Sequence, residues 1–295
     1  MLGRQDLLMQ PGDLAKAFAK LGLDLPRDAA EELFREEDGF VEPLLRLLGA
    51  DDAHSLDGSD YERPTLVHDL NEPVPDDWHG RYSLVWDGGT LEHVFNFPVA
   101  IRNAMQLTEV GGHFMGMTPA NNWMGHGFFQ FSPELWFRVL SPENGFEVVW
   151  MLIKASRHPA SRWYRVRDPM EAGERVTLTS RNRGTIYVLA RRTENREVLA
   201  EAPQQSDYAQ AWATGAVDRR RSMLGLKARL RTALNERLST RLTDALFTAS
   251  LRVLPTHDRR LFEAVDLGAE IRRGRQWSEL ESAVRSFRQP ASTRR

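Results

Sequence analysis

The sequence predicts an α/β fold with a mostly parallel sheet, helices on both faces and an antiparallel last strand. Short apolar runs alternate with segments of helical periodicity up to about residue 212, with glycines and polar turn residues between them. Such alternation is typical of parallel strands that are covered by helices. Beyond that point the chain becomes arginine-rich and helical in pattern. We therefore expect a Rossmann-like domain at 1–212 and a basic helical C-terminal extension at 213–295.

The first elements follow from short apolar runs and helix signals. They are a strand end at residues 1–5, helices at 13–18 and 28–48, and strands at 53–56 and 65–68. Asp28 follows Pro26-Arg27 and is a suitable N-cap for the second helix. Asp57 ends the first of these two strands, and Asp69-Leu70-Asn71 ends the second. Pro73 and Pro75 then predict a loop.

The later elements have stronger signals. They are a strand at 83–86, a helix at 98–107, a strand at 113–118, a helix at 133–140, and strands at 147–153 and 184–190. Ser132 and Pro133 are a favourable N-cap and first-turn pair for the second helix. No long helix separates the last two strands, so an antiparallel pairing through an excursion at 157–179 is expected. Residues 203–212 are a closing segment or a linker.

Composition narrows the classes of function. The 295 residues include no cysteine, which excludes disulfides, thiolate metal sites and cysteine nucleophiles. Hydrophobic residues make up 41% of the chain, enough for a sizeable core. The sequence shows neither a secretory signal pattern nor an apolar run of about 18 to 20 residues that would span a membrane. A soluble cytoplasmic protein is expected.

Charge is unevenly distributed along the chain. Residues 213–295 contain 18 Lys and Arg against 9 Asp and Glu, whereas residues 1–212 contain 21 against 32. The extension also carries leucines about every four residues, at Leu224, Leu226, Leu230, Leu234, Leu238, Leu242 and Leu246. This amphipathic pattern favours packing on the sheet domain or on a second subunit, which would make a homo-oligomer. The alternative is docking to an anionic surface. Nucleic acid is not expected, because no recognised reading motif accompanies the charge.

Polar residues follow the predicted parallel strands where each strand ends. Asp57 follows one strand, Asp69 the next, and Asp87-Gly88-Gly89 the third. Open parallel sheets bind ligands at this edge, and a carboxylate there can accept hydrogen bonds from a ribose diol. Glycines let a ligand approach the backbone closely. Each residue also has a structural alternative. Asp57 could be an exposed loop aspartate, Asp69 could form an Asx turn before proline, and Asp87-Gly88-Gly89 could be an ordinary strand–helix turn.

A second polar group comes from His93 and from the loop after the strand at 113–118. This loop contains Asn121, Asn122, His126 and Gln130 among aromatic residues. Either histidine can act as a general base, although a packed surface histidine is an equal alternative. The amides and aromatics are suited to a substrate pocket. A metal site from Asp87, His93 and His126 has no compact ligand spacing to support it, so no metal is predicted.

The order of these features resembles class I S-adenosylmethionine-dependent methyltransferases. The matching features are Asp57, Asp69, Leu91-Glu92-His93, Gly111-Gly112 and the string NNxxGHGFxQFSPELxF at 121–137. The string resembles a bacterial methyltransferase-like subgroup that is often tied to surface-glycan biosynthesis. The resemblance implies S-adenosylmethionine as cofactor and a small polar or glycan-related acceptor. It implies cofactor contacts from Gly3, Asp57, Asp69, Leu70, Asp87 and Gly88, catalysis by His93 and His126, and acceptor contacts from Asn121, Asn122 and Gln130.

The chain departs from that family in its glycine-rich loop. The family carries GxGxG after its first strand, whereas this chain has only Leu2-Gly3-Arg4-Gln5. Two alternatives stay open. A dehydrogenase would also place a carboxylate after the second strand, but it requires a GxGxxG turn that is absent. A catalytically inactive methyltransferase-like domain that serves as a binding or scaffold module would need no intact loop.

Overall fold

The structure is a computed structural model, and it describes residues 1–154, 163–173, 175–176, 182–214 and 261–266. Its strands are β1 Leu56–Asp57, β2 Leu66–Val67, β3 Tyr82–Asp87, β4 Thr108–Pro119, β5 Phe146–Lys154, β6 Trp163–Val166, β7 Thr185–Arg192 and β8 Phe262–Val265. Its α-helices are α1 Pro11–Lys20, α2 Arg27–Arg35, α3 Glu42–Leu47, α4 Phe97–Leu107, α5 Pro133–Val139, α6 Pro169–Ala172 and α7 Ser206–Thr214. The described chain is therefore mixed α/β.

The described strands form a six-stranded sheet in the order β3-β4-β7-β5-β6-β8 and a two-stranded sheet of β1 and β2. β1 pairs with β2 in parallel, and so does β3 with β4. The four other pairings of the larger sheet are antiparallel. The prediction of a mostly parallel sheet is therefore wrong for the described strands. β7 lies between β4 and β5, although it follows both in sequence. The order of the strands along the chain therefore does not predict which strands pair.

Leu2 joins the two sheets. It forms single parallel bridges to Leu56 of β1 and Asp87 of β3. Its N–H donates to the Trp86 carbonyl at 2.8 Å, and the Gly3 N–H donates to the Leu56 carbonyl at 2.8 Å. From Leu2 the chain passes outward to β1 and β2, then returns to β3 on the other side of Leu2. The gap between Leu2 and β3 is therefore the point at which the strand order reverses.

The main core packs α4 and α5 against the sheet. Trp136 of α5 is fully buried and stacks on Phe114 of β4, with ring centroids 5.9 Å apart. Phe97 of α4 contacts the same indole edge-on at 6.2 Å. Ser132 caps α5 by accepting a hydrogen bond from the Leu135 N–H, as the sequence predicted. These contacts hold the segments that follow β3 and β4, and both segments begin at the same edge of the sheet.

The N-terminal helices have a small core of their own. Leu14, Phe18 and Leu33 are buried within it, and the cluster is separate from the main core. The predicted helix at 28–48 is broken into α2, a 3₁₀ turn and α3. Glu37 and Asp38 adopt positive φ angles of 52° and 56° there, which an α-helix does not allow. Strong helical periodicity on both sides concealed this interruption.

Most other predicted elements are present with their boundaries shifted by one to five residues, and β5 and β7 pair antiparallel as expected. The helix α7 begins within the segment 203–212, predicted as a closing segment or linker, and ends at Thr214 in the predicted extension. Phe262–Val265, within the predicted helical extension, form β8 and pair with β6. The leucine repeat from Leu224 to Leu246 lies outside the described residues. No described helix is long and apolar enough to cross a membrane.

Candidate functional site

The reversal between Leu2 and β3 brings two of the predicted glycines together. Gly3 follows Leu2 with φ +66°, and Gly88 follows Asp87 at the end of β3. In open α/β sheets the crevice outside the strand ends at such a reversal is the usual ligand site. The structure thus places Gly3, Asp87 and Gly88 at one edge, where the sequence predicted cofactor contacts.

The side chain of Gln5 occupies the space that these glycines leave. Its amide nitrogen lies 2.9 Å from the Leu2 carbonyl and 3.3 Å from the Thr90 hydroxyl. A Cβ added to Gly88 would lie 2.5 Å from Gln5 Oε1, and one added to Gly3 would lie 3.0 Å from Gln5 Nε2. Because neither glycine has a side chain, Gly3 and Gly88 leave a gap against the backbone, which we call the Gly3–Gly88 cradle, and Gln5 lies in it. The sequence indicates no role for Gln5, because nothing in it shows where this side chain points.

Asp57 lies at the end of β1, next to this cradle. Its carboxylate accepts long hydrogen bonds from the backbone N–H groups of Arg4, at 3.4 Å, and Ser59, at 3.3 Å. A carboxylate offers about four acceptor positions, so capacity remains for a diol. The Arg4 side chain passes above, where it pairs with Glu37 at 2.7 Å and Glu42 at 2.8 Å. Arg4 thereby ties the N-terminal helices to the Asp57 edge.

Asp69 and Leu70 follow β2, farther from the reversal. Asp69 is exposed and accepts from the backbone and side-chain nitrogens of Asn71 at 2.9 and 2.7 Å, which lower the pKa of its carboxyl. This is the Asx turn that the sequence offered as the alternative. Leu70 is buried in the main core. Neither residue shares a described hydrogen bond with Gly3, Asp57 or Gly88, and their assignment to the cofactor stays a prediction.

Asp87 is a buried acid at the centre of this edge. Its Oδ1 accepts from the backbone N–H groups of Gly89, Thr90 and Leu91 at 3.4, 2.8 and 3.3 Å. Its Oδ2 is buried and has no hydrogen-bond partner among the described residues. Burial outweighs the three donated bonds and raises the pKa of Asp87 to about 7. Asp87 therefore organises the turn that follows β3.

Glu92, His93 and His126 form a compact cluster beside the turn. The ligand atoms that the three residues offer lie within 4.8 Å of one another. His126 Nε2 lies 3.2 Å from Glu92 Oε1, and the two imidazole rings meet edge-on with centroids 4.9 Å apart. Glu92 is 1% exposed, and burial raises its pKa to about 7. Desolvation, with the nearby His126, lowers the pKa of His93 and favours its neutral form.

Backbone contacts hold the loop after β4 onto this cluster. The Glu92 carbonyl accepts from the N–H groups of Phe128 and Phe129 at 2.7 and 3.3 Å. Gly127 passes so close that an added Cβ would lie 2.7 Å from the Glu92 carbonyl oxygen. Both predicted catalytic histidines are thus brought together. The sequence does not predict the contact of Glu92 with His126, because the two residues are 34 positions apart.

The predicted acceptor contacts support this same loop. Gln130 accepts from the Trp123 N–H at 2.9 Å, and the Asn122 side chain donates to the Asn182 carbonyl at 2.9 Å. The Asn121 carbonyl accepts from the Gly184 N–H at 3.0 Å, which ties the loop to β7. These residues shape the loop around His126. Their contact with an acceptor stays a prediction.

Two cavities of the described structure lie away from this edge. One, of about 380 Å³, is lined by α5 and by segments around Pro169, Arg175 and Pro203. The other, of about 470 Å³, lies at the end of α4, near Gln106 and Arg192. Neither is lined by Asp57, Gly3 or Gly88. At the cofactor edge expected from the sequence, the side chains of Gln5 and Thr90 lie against Gly3, and that of Gln5 lies against Gly88.

Comparisons with known proteins do not assign the chain to a family. No family model matches it, and neither does any curated protein. Among solved structures it is similar to a tryptophan-to-alanine mutant of the 16S rRNA (adenine(1408)-N(1))-methyltransferase from Catenulisporales acidiphilia. That similarity covers 64% of this chain and 94% of the other, at 12% identity and a TM-score of 0.30. Likeness at this level does not identify an activity, so function must be argued from the residues themselves.

Proposed function

We propose that this protein is an S-adenosylmethionine-dependent methyltransferase that acts on a small polar or glycan-related acceptor. One observation carries the proposal. Leu2 lies between β1 and β3 at the point where the strand order reverses, and the Glu92–His93–His126 cluster follows β3 at the same edge of the sheet. A nucleoside site and a proton-accepting site are thereby adjacent. The order of the sequence features supports the same proposal.

The residues at the reversal suit the cofactor once Gln5 has moved. Asp57 has acceptor capacity for the ribose hydroxyls, and the Gly3–Gly88 cradle admits a chain against the backbone. The described side-chain hydrogen bonds of Gln5 are made by its terminal amide, so rotation of this side chain clears Gly88, while the Thr90 hydroxyl stays next to Gly3. The bound cofactor supplies a sulfonium methyl group. The protein's part is to hold the acceptor in line with it and to exclude water.

The cluster of Glu92, His93 and His126 supplies proton transfer. An acceptor hydroxyl must lose its proton as its oxygen takes the methyl group, and a neutral imidazole can receive that proton. His93 is exposed, and its lowered pKa favours the neutral form. Glu92 lies behind His126 and orients that ring through a 3.2 Å contact. An acceptor hydroxyl next to His93 would therefore meet a competent base.

Two exposed aromatic rings near the cluster are suited to bind an acceptor molecule that is polar but has one flat apolar face. Phe95 is 72% exposed and Phe128 is 66% exposed, and the two rings meet edge-on with centroids 5.7 Å apart. Both follow cluster residues closely in sequence, His93 and His126 respectively. Sugar rings present such faces, and exposed aromatics of this kind form binding platforms.

Calorimetry with S-adenosylmethionine tests the proposal. The wild-type protein should bind it at micromolar concentration, and Asp57→Ala should weaken binding by about tenfold or more, because a charge-assisted hydrogen bond is lost. Asp60→Ala is the matched control, since this exposed aspartate lies in the same loop. Absence of heat with intact wild-type protein would reject the proposal, and so would equal effects of the two substitutions.

A second candidate is a methyltransferase-like module that binds without turnover. The observation that favours it is the filled cradle, in which Gln5 satisfies the Leu2 carbonyl and the Thr90 hydroxyl. The same calorimetry separates the two candidates, because this module would not bind S-adenosylmethionine. Gln5→Ala would then leave the protein equally unresponsive.

A further inference from the structure

We propose that Glu92, His93 and His126 form a binding site for a divalent transition-metal ion. The sequence predicts no metal here, because the two adjacent residues and the third are far apart along the chain. The fold brings one carboxylate and two imidazoles into one cluster. Metal binding itself does not depend on methyl transfer, whereas any catalytic use of the ion rests on the proposed function.

The distances suit a first-row metal. Ligand atoms around a tetrahedral zinc ion are separated by about 3.3 to 3.5 Å, because zinc–nitrogen and zinc–oxygen bonds are about 2.0 to 2.2 Å long. His126 Nε2 and Glu92 Oε1 are 3.2 Å apart, and all three ligand atoms lie within 4.8 Å of one another. Small rotations of the two histidine side chains bring the third atom into range. His93 is exposed and the His126 side chain is 41% exposed, so both can rotate.

The buried carboxyl group gives independent support. Glu92 Oε1 contacts His126, while Glu92 Oε2 is buried without a hydrogen-bond partner among the described residues. Leaving a buried carboxylate oxygen without a partner costs free energy, which a bound cation would offset. The Glu92 backbone carbonyl accepts from Phe128 and Phe129, and the side chain is buried, so Glu92 has less freedom to move than the more exposed histidines.

The ligand set indicates which ions fit. One carboxylate with two imidazoles suits zinc, iron, cobalt, nickel or manganese more than magnesium or calcium, which prefer all-oxygen sites. Three protein ligands leave at least one coordination position for solvent or an acceptor hydroxyl. A divalent ion there would lower the pKa of a coordinated hydroxyl group, so activation by the ion would take the place of His93 as the base only while the ion is bound.

Cobalt titration of the untagged chain tests the site without S-adenosylmethionine. After dialysis against a chelator, the wild-type protein should bind one equivalent of Co²⁺ and develop visible d–d absorption. Glu92→Gln and His126→Ala should each weaken binding by about tenfold or more. His79→Ala is the control, since this exposed histidine lies in another segment. Near-ultraviolet circular dichroism confirms that each variant is folded.

Imidazole signals in NMR spectra locate the ion independently of any substitution. On titration with Zn²⁺, the ring signals of His93 and His126 should shift together, while that of His79 stays unchanged. Failure of the wild-type protein to bind Co²⁺ and Zn²⁺ would overturn the proposal. Tight binding that survives both Glu92→Gln and His126→Ala would overturn it as well, because the ion would then lie elsewhere. Neither result bears on S-adenosylmethionine binding, which is measured separately.

Discussion

At the scale of single residues, two buried acids and the Gln5 side chain set the properties of the sheet edge where β3 ends. Burial raises the pKa of both Asp87 and Glu92 to about 7, and the nearby Glu92 adds to the cost of ionising Asp87. The sequence indicated Asp87, His93 and His126 as candidates because polar residues after strands are conspicuous, and their roles stay predictions. It could not identify Gln5 or the contact of Glu92 with His126, since both depend on side-chain direction and on a loop folding back.

Asp87 should make the stability of the protein depend on pH. Its pKa is raised to about 7 in the folded protein from 3.8, so the folded state holds its proton more tightly. The free energy of unfolding should therefore fall as pH rises from about 4 to about 7, and level off above that. Between pH 5 and pH 8 the contribution of Asp87 to this loss should be on the order of 3 kcal/mol, and Glu92, whose pKa is also raised to about 7, adds to it.

Urea unfolding in chelator-containing buffer measures this dependence. Asp87→Asn keeps the acceptor oxygen for the N–H groups of Gly89, Thr90 and Leu91 and removes the ionisation. Because Glu92 also has a pKa raised to about 7 and stays in the variant, Asp87→Asn should lose about half as much stability as wild type between the two pH values. Identical slopes for the two proteins would show that Asp87 titrates at the same pH whether folded or unfolded.

Gln5 should compete with the cofactor. Removing its side chain clears the space at Gly88 and leaves Thr90 as the nearest side chain at Gly3. Gln5→Ala should therefore tighten S-adenosylmethionine binding several-fold, because two hydrogen bonds need not be broken first. Gln10→Ala is the control, since this exposed glutamine makes no side-chain cap for α1. Calorimetry of the three proteins decides the matter, and weaker binding by Gln5→Ala would mean that Gln5 contacts the cofactor.

At the scale of elements, the connections after β3 and β4 build the candidate site. The helices α4 and α5 could be predicted nearly to the residue, because their apolar spacing and the Ser132 cap are local signals. The break between α2 and α3 could not, since positive φ at Glu37 and Asp38 has no strong residue signature. The docking of the loop after β4 onto Glu92 is tertiary, and no local pattern encodes it.

Two glycines of that loop allow the docking to be measured. Gly125 and Gly127 both have positive φ, at 83° and 67°, so an alanine is strained at either position. Only Gly127 is close to Glu92, whereas a Cβ on Gly125 meets no atom within 4 Å. Gly127→Ala should therefore destabilise the protein by about 1 to 3 kcal/mol more than Gly125→Ala does. Equal destabilisation in urea unfolding would show that the loop is not packed against Glu92.

At the scale of the whole molecule, the sheet is completed by a strand from the C-terminal part of the chain. β8 pairs with β6 through Phe262–Val265 and covers an edge that would otherwise be unpaired among the described strands. The sequence predicted an α/β domain but not this strand, because four residues within an arginine-rich segment carry little strand signal. Strand order also escaped prediction, since β7 inserts between β4 and β5.

Truncation tests the contribution of β8. A chain that ends at residue 260 loses this strand, and it should unfold at a lower temperature and self-associate through the free β6 edge. A chain that ends at residue 266 keeps β8 and is the matched control. Thermal unfolding and light scattering compare the two. Indistinguishable behaviour would show that β8 does not stabilise the sheet.

The central claim is that a nucleoside cofactor binds where the strand order reverses, between Leu2 and β3. Hydrogen–deuterium exchange with and without S-adenosylmethionine tests it most directly, because it locates the ligand on the chain. We expect slower exchange at residues 1–5, 57–60 and 87–93, with little change at the two cavities near Arg175 and Arg192. Protection confined to those two arginine-lined cavities, or no protection anywhere at saturating ligand, would contradict the account.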